Sequence, residues 1–299
     1  MKEFDLIQHI QQQCTSETDG TVLGIGDDAA ILHPANIQQL VVSTDTLVSG
    51  IHFKAKDSAQ SIGHKALAVS FSDMAAMAAK PKWVLLNLTL PKINDKWVKG
   101  FTQGFAKLLS QHQAQLIGGD TTQGPLSITV TVMGETDQAV RRDGAKMDDL
   151  IVVTGELGSA AFALKNPRKS KACNEQLHSP KPRLDVAEQV KHMATAMIDV
   201  SDGLLADLGH ICHASQLAAV IELSQIPVNE TVKKHPDWMS YVLAGGDDYQ
   251  LCFTINMDDE DQLPEDCHII GQIIAGQGVM VLNHHQPIET NFKGYQHFT

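Results

Sequence analysis

Six segments of this 299-residue sequence place aspartate beside glycine and apolar residues instead of among other polar residues. An acidic residue on a solvated surface usually has polar neighbours, whereas these aspartates end apolar strand-like stretches or lie within an apolar helix. The sequence therefore predicts that several carboxylates are at least partly buried. The segments are GIGDDAAIL with Asp27 and Asp28, VVSTDTL with Asp45, SFSDMAAM with Asp73, LIGGDTT with Asp120, MIDVSDGLL with Asp199 and Asp202, and LAGGDDYQL with Asp247 and Asp248.

Each of these aspartates alone could serve as a helix cap or a turn residue. Taken together they favour a cluster. If each had only a cap or turn role, it would be an accident that the strands and loops carrying them came together. Two like charges 4 Å apart repel by roughly 4 kcal/mol at an effective dielectric near 20. Clustered carboxylates therefore share protons or bind divalent cations, and oxygen ligands without paired Cys or His favour Mg²⁺ or Ca²⁺ over zinc. A magnesium site in turn predicts a nucleotide ligand, because Mg²⁺ usually shares its shell with substrate phosphates.

Composition excludes several classes of function. The chain has 23 Lys plus Arg and 35 Asp plus Glu, a formal net charge of −12, so we expect no nucleic acid partner. Hydrophobic residues make up 43%, enough for a packed core, yet no apolar run reaches the roughly 18 residues of a membrane span. Five scattered cysteines without a C-x-x-C pair, and no secretory signal, predict free thiols and a cytoplasmic location.

The alternation of apolar strands with amphipathic helices predicts an α+β protein of two domains. Residues 1–137 are expected to form a mixed or antiparallel sheet with helices on one face, a ferredoxin-like layer that includes a helix over about 58–79. The polar run near residue 138 interrupts this pattern, and residues 138–299 are expected to form an α/β sandwich. Within them, residues 166–182 predict a long surface loop because three prolines lie among polar residues.

Several features suit the binding of phosphate. Gly-Gly-Asp at 118–120 and Gly-Gly-Asp-Asp at 245–248 supply backbone that can approach a phosphate closely. The helix after Val200 is expected to offer its N–H groups, with Ser201 as its cap. Arg142 could pair with a phosphate through two hydrogen bonds, although a solvated loop charge is an equally good interpretation. Walker A and protein-kinase motifs are not found in the sequence, so phosphoryl transfer would need another scaffold.

Taken together, the motifs resemble the bacterial thiamine-monophosphate kinase family of the aminoimidazole ribonucleotide synthetase superfamily. The matching stretches are GIGDDAAIL, STDTLVSGIHF, KALAVSFSDMAAM, IGGDTTQGPLS, IDVSDGLLADL, GGDDYQL and, near the end, KGYQHF at 293–298. The resemblance implies ATP- and Mg²⁺-dependent transfer of the γ-phosphoryl group to thiamine monophosphate, which gives thiamine diphosphate. It also implies a homodimer formed by the N-terminal domains and an active site between the two domains.

The family pattern assigns ligand-binding roles to residues of both domains. It implies Asp28, Ser43, Thr44, Asp45, Asp73, Asp120, Asp199 and Asp202 as magnesium ligands, Gly119, Asp120, Arg142 and Ser201 as ATP contacts, and His52, Asp247 and Phe292 in the thiamine site. Residues 1–137 would then bind ATP and Mg²⁺ and form the dimer, while residues 138–299 would complete the nucleotide and substrate cleft. No general base is expected, because a phosphate monoester carries about −1.5 to −2 charge at neutral pH and is itself nucleophilic.

The chain departs from the family's usual G-G-E-D-Y-E at Asp247 and Gln250. The shorter Asp247 would reach the substrate through a shifted backbone or a bridging water. Three alternatives stay open at this point: a sister enzyme of the superfamily that uses ATP to make another product, a noncatalytic sensor of Mg-bound nucleotide, and, less favoured, a metal-dependent phosphatase.

Overall fold

The computed structural model describes residues 3–14, 17–25, 29–34, 37–289 and 294–295. The chain divides into two compact units. Unit 1 comprises Met1–Met74 and Ala79–Asp137, and unit 2 comprises Ala75–Ala78 and Gln138–Thr299. No helix in the described part of the chain combines the length and the apolar character needed to cross a bilayer.

Unit 1 contains the strands and helices that the apolar patterns predict, preceded by a helix that they do not. Its elements are α1 (Glu3–Gln13), β1 (Thr21–Leu23), β2 (Ile31–Leu32), β3 (Gln39–Val48), α2 (Ala59–Ala76), β4 (Lys80–Leu90), α3 (Asp95–Gln111), β5 (Gln115–Gln123) and β6 (Ser127–Thr136). The side chain of Asn94 caps α3, because its Oδ1 accepts from the Trp97 N–H at 3.1 Å. That helix buries the apolar face Val98, Phe101, Phe105 and Leu108.

Four of these strands form a mixed sheet in the order β3-β6-β4-β5. The β4–β5 pair is parallel, and the β3–β6 and β4–β6 pairs are antiparallel. Along β6, Ile128, Val130 and Val132 are buried and alternate with partly exposed residues, as a strand covered on one face requires. The order leaves β3 and β5 as the two edge strands of the sheet, and both carry predicted site residues.

Unit 2 is built on a second, larger sheet. Its elements are β7 (Leu150–Thr154), α4 (Ser159–Lys165), α5 (Lys171–His178), α6 (Leu184–Val190), β8 (Ala194–Val200), α7 (Leu204–Ser215), β9 (Ala218–Glu222), α8 (Glu230–Lys233), α9 (Trp238–Ala244), β10 (Gln250–Ile255), β11 (Cys267–Ile274), β12 (Gly278–Asn283) and β13 (Gln286–Pro287), with 3₁₀ turns at Leu223–Gln225 and Met257–Gln262. The predicted loop over residues 166–182 is wrong in its middle, where α5 lies. Ser170 caps that helix, and its Cys173 and Leu177 are buried.

The sheet of unit 2 has seven strands in the order β13-β12-β9-β11-β7-β10-β8. Apolar layers cover both of its faces, which confirms the predicted sandwich. On one face Ile198 and Val200 of the edge strand β8 pack with Leu208 of α7. On the other face Met197 packs with Val186 of α6. Side chains two residues apart on a strand share a face, so Asp199 lies on the Met197 side, where it is buried.

Candidate functional site

In unit 1, helix α2 brings a carboxylate and a hydroxyl group onto strand β3. The Asp73 carboxylate accepts a hydrogen bond from the Ser43 hydroxyl, and Ser70 donates to Asp45 Oδ2 at 2.8 Å. The carboxyl groups of Asp45 and Asp73 are also joined by a hydrogen bond. Burial raises the pKa of Asp45 above its ordinary value, and the hydrogen bonds from Ser70 and Asp73 act in the opposite direction. The acidic motifs of β3 and α2 are therefore in contact.

Two carboxyl groups in contact require a proton or a cation between them. Ser43, Asp45 and Asp73 offer only carboxylate and hydroxyl oxygens, a donor set that suits a hard divalent cation such as Mg²⁺. The residues present thus fit the metal that the sequence predicts. Within the described ranges, three or more His, Cys, Asp or Glu side chains do not come together as a metal-binding group. Asp28, a further predicted ligand, lies outside the described residues.

Thr44 lies on the opposite face of β3 from its two neighbours. Its Oγ1 lies 2.9 Å from Thr131 Oγ1 and 3.2 Å from the carbonyl oxygen of Val130, both on β6. Successive side chains of a strand point to opposite faces, and the side chains of Ser43 and Asp45 contact α2. The structure therefore separates the Thr44 hydroxyl from the Asp45–Asp73 pair.

Gly119 and Asp120 lie on β5, at the other edge of the same sheet. The strand register aligns Asp45, Val130, Leu86 and Gly119 in one row, and Thr46, Thr129, Asn87 and Asp120 in the next. Three inter-strand spacings of about 4.8 Å separate the edge strands, which places Asp45 and Asp120 roughly 14 Å apart. Magnesium ligands lie about 2.1 Å from the metal, so Asp45 and Asp120 of one chain do not share an ion.

A cavity of about 920 Å³ in unit 1 lies beside β5. Asp120 and Gly119 line it together with Ile7 and Ile10 of α1 and Ile25. Its size is within the range of small-molecule sites, roughly 300–1,000 Å³. Gly119 has a φ of +147°, and a Cβ atom there would lie 1.9 Å from the Leu86 carbonyl oxygen. Glycine at this position therefore lets β5 approach β4 closely at the point where Asp120 enters the cavity wall.

In unit 2, the two remaining acidic motifs lie against each other. The Asp247 N–H donates to the Ser201 carbonyl at 2.9 Å, and the Tyr249 N–H donates to the Val200 carbonyl at 2.9 Å. The Tyr249 hydroxyl donates to Asp247 Oδ1 at 2.8 Å. Ser201, Asp202 and Asp247 are thus neighbours within this unit; the family resemblance assigns them to ATP, magnesium and substrate.

The expectation that Ser201 caps the following helix is wrong. Helix α7 begins at Leu204, and its N-cap residue is Gly203, which has no side chain to form a cap hydrogen bond. The N–H groups of Ser201, Asp202 and Gly203 instead donate to Oδ2 of Asp207, at 3.1, 3.0 and 3.0 Å. Asp207 lies one turn into the helix and reaches back over its start. Burial raises the pKa of Asp207 to about 7, which the three backbone N–H groups oppose.

Asp248, the second acidic residue of the Gly-Gly-Asp-Asp motif, is fully buried and holds the start of α4. Its carboxylate accepts from the N–H groups of Gly158 at 2.6 Å and Ala160 at 3.2 Å. Burial raises the pKa of this group to about 7. Gln250 is buried as well, and its Oε1 accepts from Thr154 Oγ1 at 2.8 Å and Arg183 Nε at 2.6 Å. The Gln250 departure from the family pattern therefore concerns the interior of unit 2.

Two further predicted site residues, His52 and Arg142, lie in loops. His52 follows β3, and its Nδ1 accepts from the Val48 N–H at 2.9 Å. Arg142 is exposed, and its carbonyl accepts from Ser215 Oγ at 3.0 Å. Phe292 lies outside the described residues. All five cysteines are free thiols, as predicted.

Comparison with known proteins agrees with this arrangement. The family model described as AIR synthase related protein, N-terminal domain, matches residues 26–136, and the model of its C-terminal domain matches residues 146–282. The two-sheet fold and the acidic motifs thus define a protein of the AIR synthase related class.

The similar proteins identify the branch of this class. The thiamine-monophosphate kinase of Escherichia coli strain K12 is 37% identical over 320 residues, covering 99% of this chain and 98% of its own length. The crystal structure of thiamine-monophosphate kinase from Stenotrophomonas maltophilia K279a is 43% identical, with a TM-score of 0.86 over 94% of this chain and 96% of that one. AaThiL complexed with AMPPCP and TMP is 30% identical, with a TM-score of 0.80 over 99% of this chain and 97% of that one. The chain belongs to the thiamine-monophosphate kinase family.

Proposed function

We propose that this protein transfers the γ-phosphoryl group of ATP to thiamine monophosphate, releasing ADP and thiamine diphosphate. The observation that carries the proposal is the oxygen cluster of Ser43, Asp45 and Asp73, in a chain that matches thiamine-monophosphate kinases over nearly its whole length. A relative that binds both AMPPCP and TMP supports the choice of nucleotide and acceptor.

Residues of both units serve this reaction in our proposal. Asp45 and Asp73 hold Mg²⁺ with Ser43, and Asp120 holds a further ion beside the cavity along β5. Bound Mg²⁺ neutralises the repulsion between the two phosphate groups. In the same assignment Asp199 and Asp202 are magnesium ligands, and Arg142 and Ser201 contact ATP. The predicted ligand Asp28 is part of it as well, whereas the Thr44 hydroxyl faces away from Asp45 and Asp73.

The acceptor supplies its own nucleophile, so the chain's task is alignment. A phosphate monoester oxygen attacks the γ-phosphorus directly, and no side chain has to remove a proton. Asp247, oriented by the Tyr249 hydroxyl, contacts the thiamine together with His52 and Phe292. Holding two phosphate groups in line lowers the barrier by removing their freedom of motion before the reaction.

We also propose that the chain functions as a homodimer through unit 1. Leu40 and Val42 on the edge strand β3 are 52% and 57% exposed. Exposed apolar edge strands are prone to pair with another chain, and a second copy covers this one. Sedimentation should give twice the chain mass of 32.5 kDa, and Val42→Lys should shift the protein toward that single-chain mass.

One assay tests the proposed activity. Purified protein with ATP, Mg²⁺ and thiamine monophosphate should form equal amounts of ADP and thiamine diphosphate. Asp120→Asn should abolish both products and leave the circular dichroism spectrum unchanged. Product from another acceptor in a substrate panel would favour a sister enzyme, and nucleotide binding without product over hours would favour a sensor. Inorganic phosphate released without an acceptor would favour a phosphatase.

A further inference from the structure

We propose that Asp207 is a positioning residue for nucleotide binding, which holds the turn Ser201–Gly203 so that Ser201 and Asp202 face Mg-bound ATP. The inference rests on the proposed function, in which Ser201 contacts ATP and Asp202 holds an ion. Asp207 itself contacts neither. It acts through the backbone of the turn.

The geometry of the turn carries this inference. One oxygen, Asp207 Oδ2, accepts three successive backbone N–H groups at 3.0–3.1 Å. Asp207 is only 2% exposed, so water does not compete for these bonds. Successive N–H groups that point at one spot form an anion-binding concavity, and here the protein's own carboxylate occupies it. Three hydrogen bonds to one side-chain oxygen hold the N–H side of the turn in place.

Backbone contacts hold the turn from its other sides. The Ser201 carbonyl accepts from Asp247 N–H at 2.9 Å, and the Asp202 carbonyl accepts from Tyr295 N–H at 3.0 Å. Gly203 has a φ of +117°, and a Cβ atom there would lie 2.7 Å from the Ala244 carbonyl carbon. The carbonyls of the turn therefore face the 245–249 segment and residue 295, while its N–H groups face Asp207. Loss of the Asp207 side chain removes the acceptor of the three N–H groups, so Ser201 and Asp202 are no longer held in their orientation.

The packing of α7 does not depend on this carboxylate. Leu204, Leu208 and Ile211 are fully buried in the apolar core of unit 2 and hold the helix against the sheet. Removal of the Asp207 carboxylate should therefore spare the fold and loosen the turn. The expected effect is selective, because ATP contacts the turn directly, whereas thiamine monophosphate is contacted by Asp247 one hydrogen bond away.

The test measures KM for each substrate in Asp207→Ala and Asp207→Asn. We expect KM for ATP to rise about tenfold or more in Asp207→Ala, because three buried backbone N–H groups lose their acceptor. Asparagine keeps one neutral acceptor, so Asp207→Asn should show a smaller rise of about threefold. KM for thiamine monophosphate should change less than about twofold in both variants.

Glu222→Gln is the matched control. Glu222 also accepts three backbone N–H groups in unit 2, those of Ser224, His284 and His285, at the end of β9. This variant should lower the unfolding temperature without changing KM for either substrate. A purely structural role of Asp207 would give the same result for the Asp207 variants as for this control.

Three outcomes overturn the proposal: folded Asp207→Ala with the wild-type KM for ATP, equal rises for both substrates, or a rise in Glu222→Gln that matches the Asp207 variants. If Asp207→Ala does not fold, Asp207→Asn decides, and a KM for ATP within about 1.5-fold of wild type contradicts the proposal. Calorimetric binding of Mg-bound ATP without acceptor provides an independent measurement. Wild-type protein that binds ATP in this way and forms no thiamine diphosphate rejects the proposed function, while the binding comparison still tests Asp207.

Discussion

Asp45 on β3 and Asp73 on α2 are joined by a hydrogen bond between their carboxyl groups, although 27 residues separate them in the sequence, and this bond requires a proton on one of the two groups. Their contact is unfavourable when both groups are ionised, and burial adds to that cost because water does not screen it. A divalent cation removes the repulsion. Under the proposed function, the pair links the stability of unit 1 to the binding of Mg²⁺.

Mg²⁺ should raise the unfolding temperature of the wild-type protein, and Asp73→Asn should abolish most of that rise. A ligand that binds only the folded state stabilises it by about 2.7 kcal/mol at 100 times its dissociation constant. Without metal, the variant should be at least as stable as wild type, because one of two repelling charges is gone. Calorimetric unfolding with Mg²⁺ and with EDTA measures both effects. Asp185→Asn, which removes an exposed partner of Lys181, should respond to Mg²⁺ as wild type does.

Gly119→Ala should destabilise the protein by about 2–4 kcal/mol. A methyl group at this position meets the Leu86 carbonyl oxygen at 1.9 Å, and the φ of +147° is unfavourable for alanine. Gly209→Ala is the matched control, because a Cβ atom there meets nothing within 4 Å inside helix α7. That variant should be stabilised by up to about 1 kcal/mol. Urea unfolding compares the two, and equal effects would contradict the close approach of β5 to β4.

Glu222 should make unfolding depend on pH in the acid range. Backbone N–H groups of His285, Ser224 and His284, with the Ser224 hydroxyl, lower its pKa from 4.5 to about 2. A group whose pKa is lowered by folding contributes its full stability above the unfolded value, and loses it as the pH falls from about 4.5 to about 2. The difference in unfolding free energy between wild type and Glu222→Gln should be largest at neutral pH and shrink over that window. A difference that is constant down to pH 2 would contradict the assigned hydrogen bonds.

Tyr249→Phe should weaken the binding of thiamine monophosphate and spare that of ATP. The hydroxyl group that orients Asp247 at 2.8 Å is lost, while the buried ring remains. Removal of a hydrogen bond to a charged group predicts a rise of roughly tenfold in KM for the acceptor. Steady-state kinetics with each substrate varied in turn measures this. Tyr295→Phe serves as a control, since its ring is 50% exposed, and an equal effect there would count against the role of the Tyr249 hydroxyl.

Local patterns in the sequence predict most of the fold. Alternation identifies β4 and β6, and the apolar spacing and Asn94 identify α3, because these signals depend on neighbouring residues. Helix α5 is missed, since its short apolar pair, Cys173 and Leu177, lies among prolines and charged residues that indicate a loop.

The candidate site is harder to predict, because it depends on strand order and on contacts between distant residues. Six acidic motifs do not reveal that β3 and β5 are opposite edges of one sheet, so the wide separation of Asp45 and Asp120 is accessible only from the structure. Asp207 belongs to a quoted motif, IDVSDGLLADL, yet a helical aspartate that reaches back over its own N-terminus looks like any first-turn acid. A signal for it does exist: Asp207 lies four residues after a glycine that starts an apolar helix.

The carboxylate of Asp207 also determines what the turn at Ser201–Gly203 can no longer do. Its three N–H groups already donate to this side chain, so inorganic phosphate or sulfate finds no vacant donors there. Small anions are therefore excluded from these three N–H groups by a side chain of the protein itself.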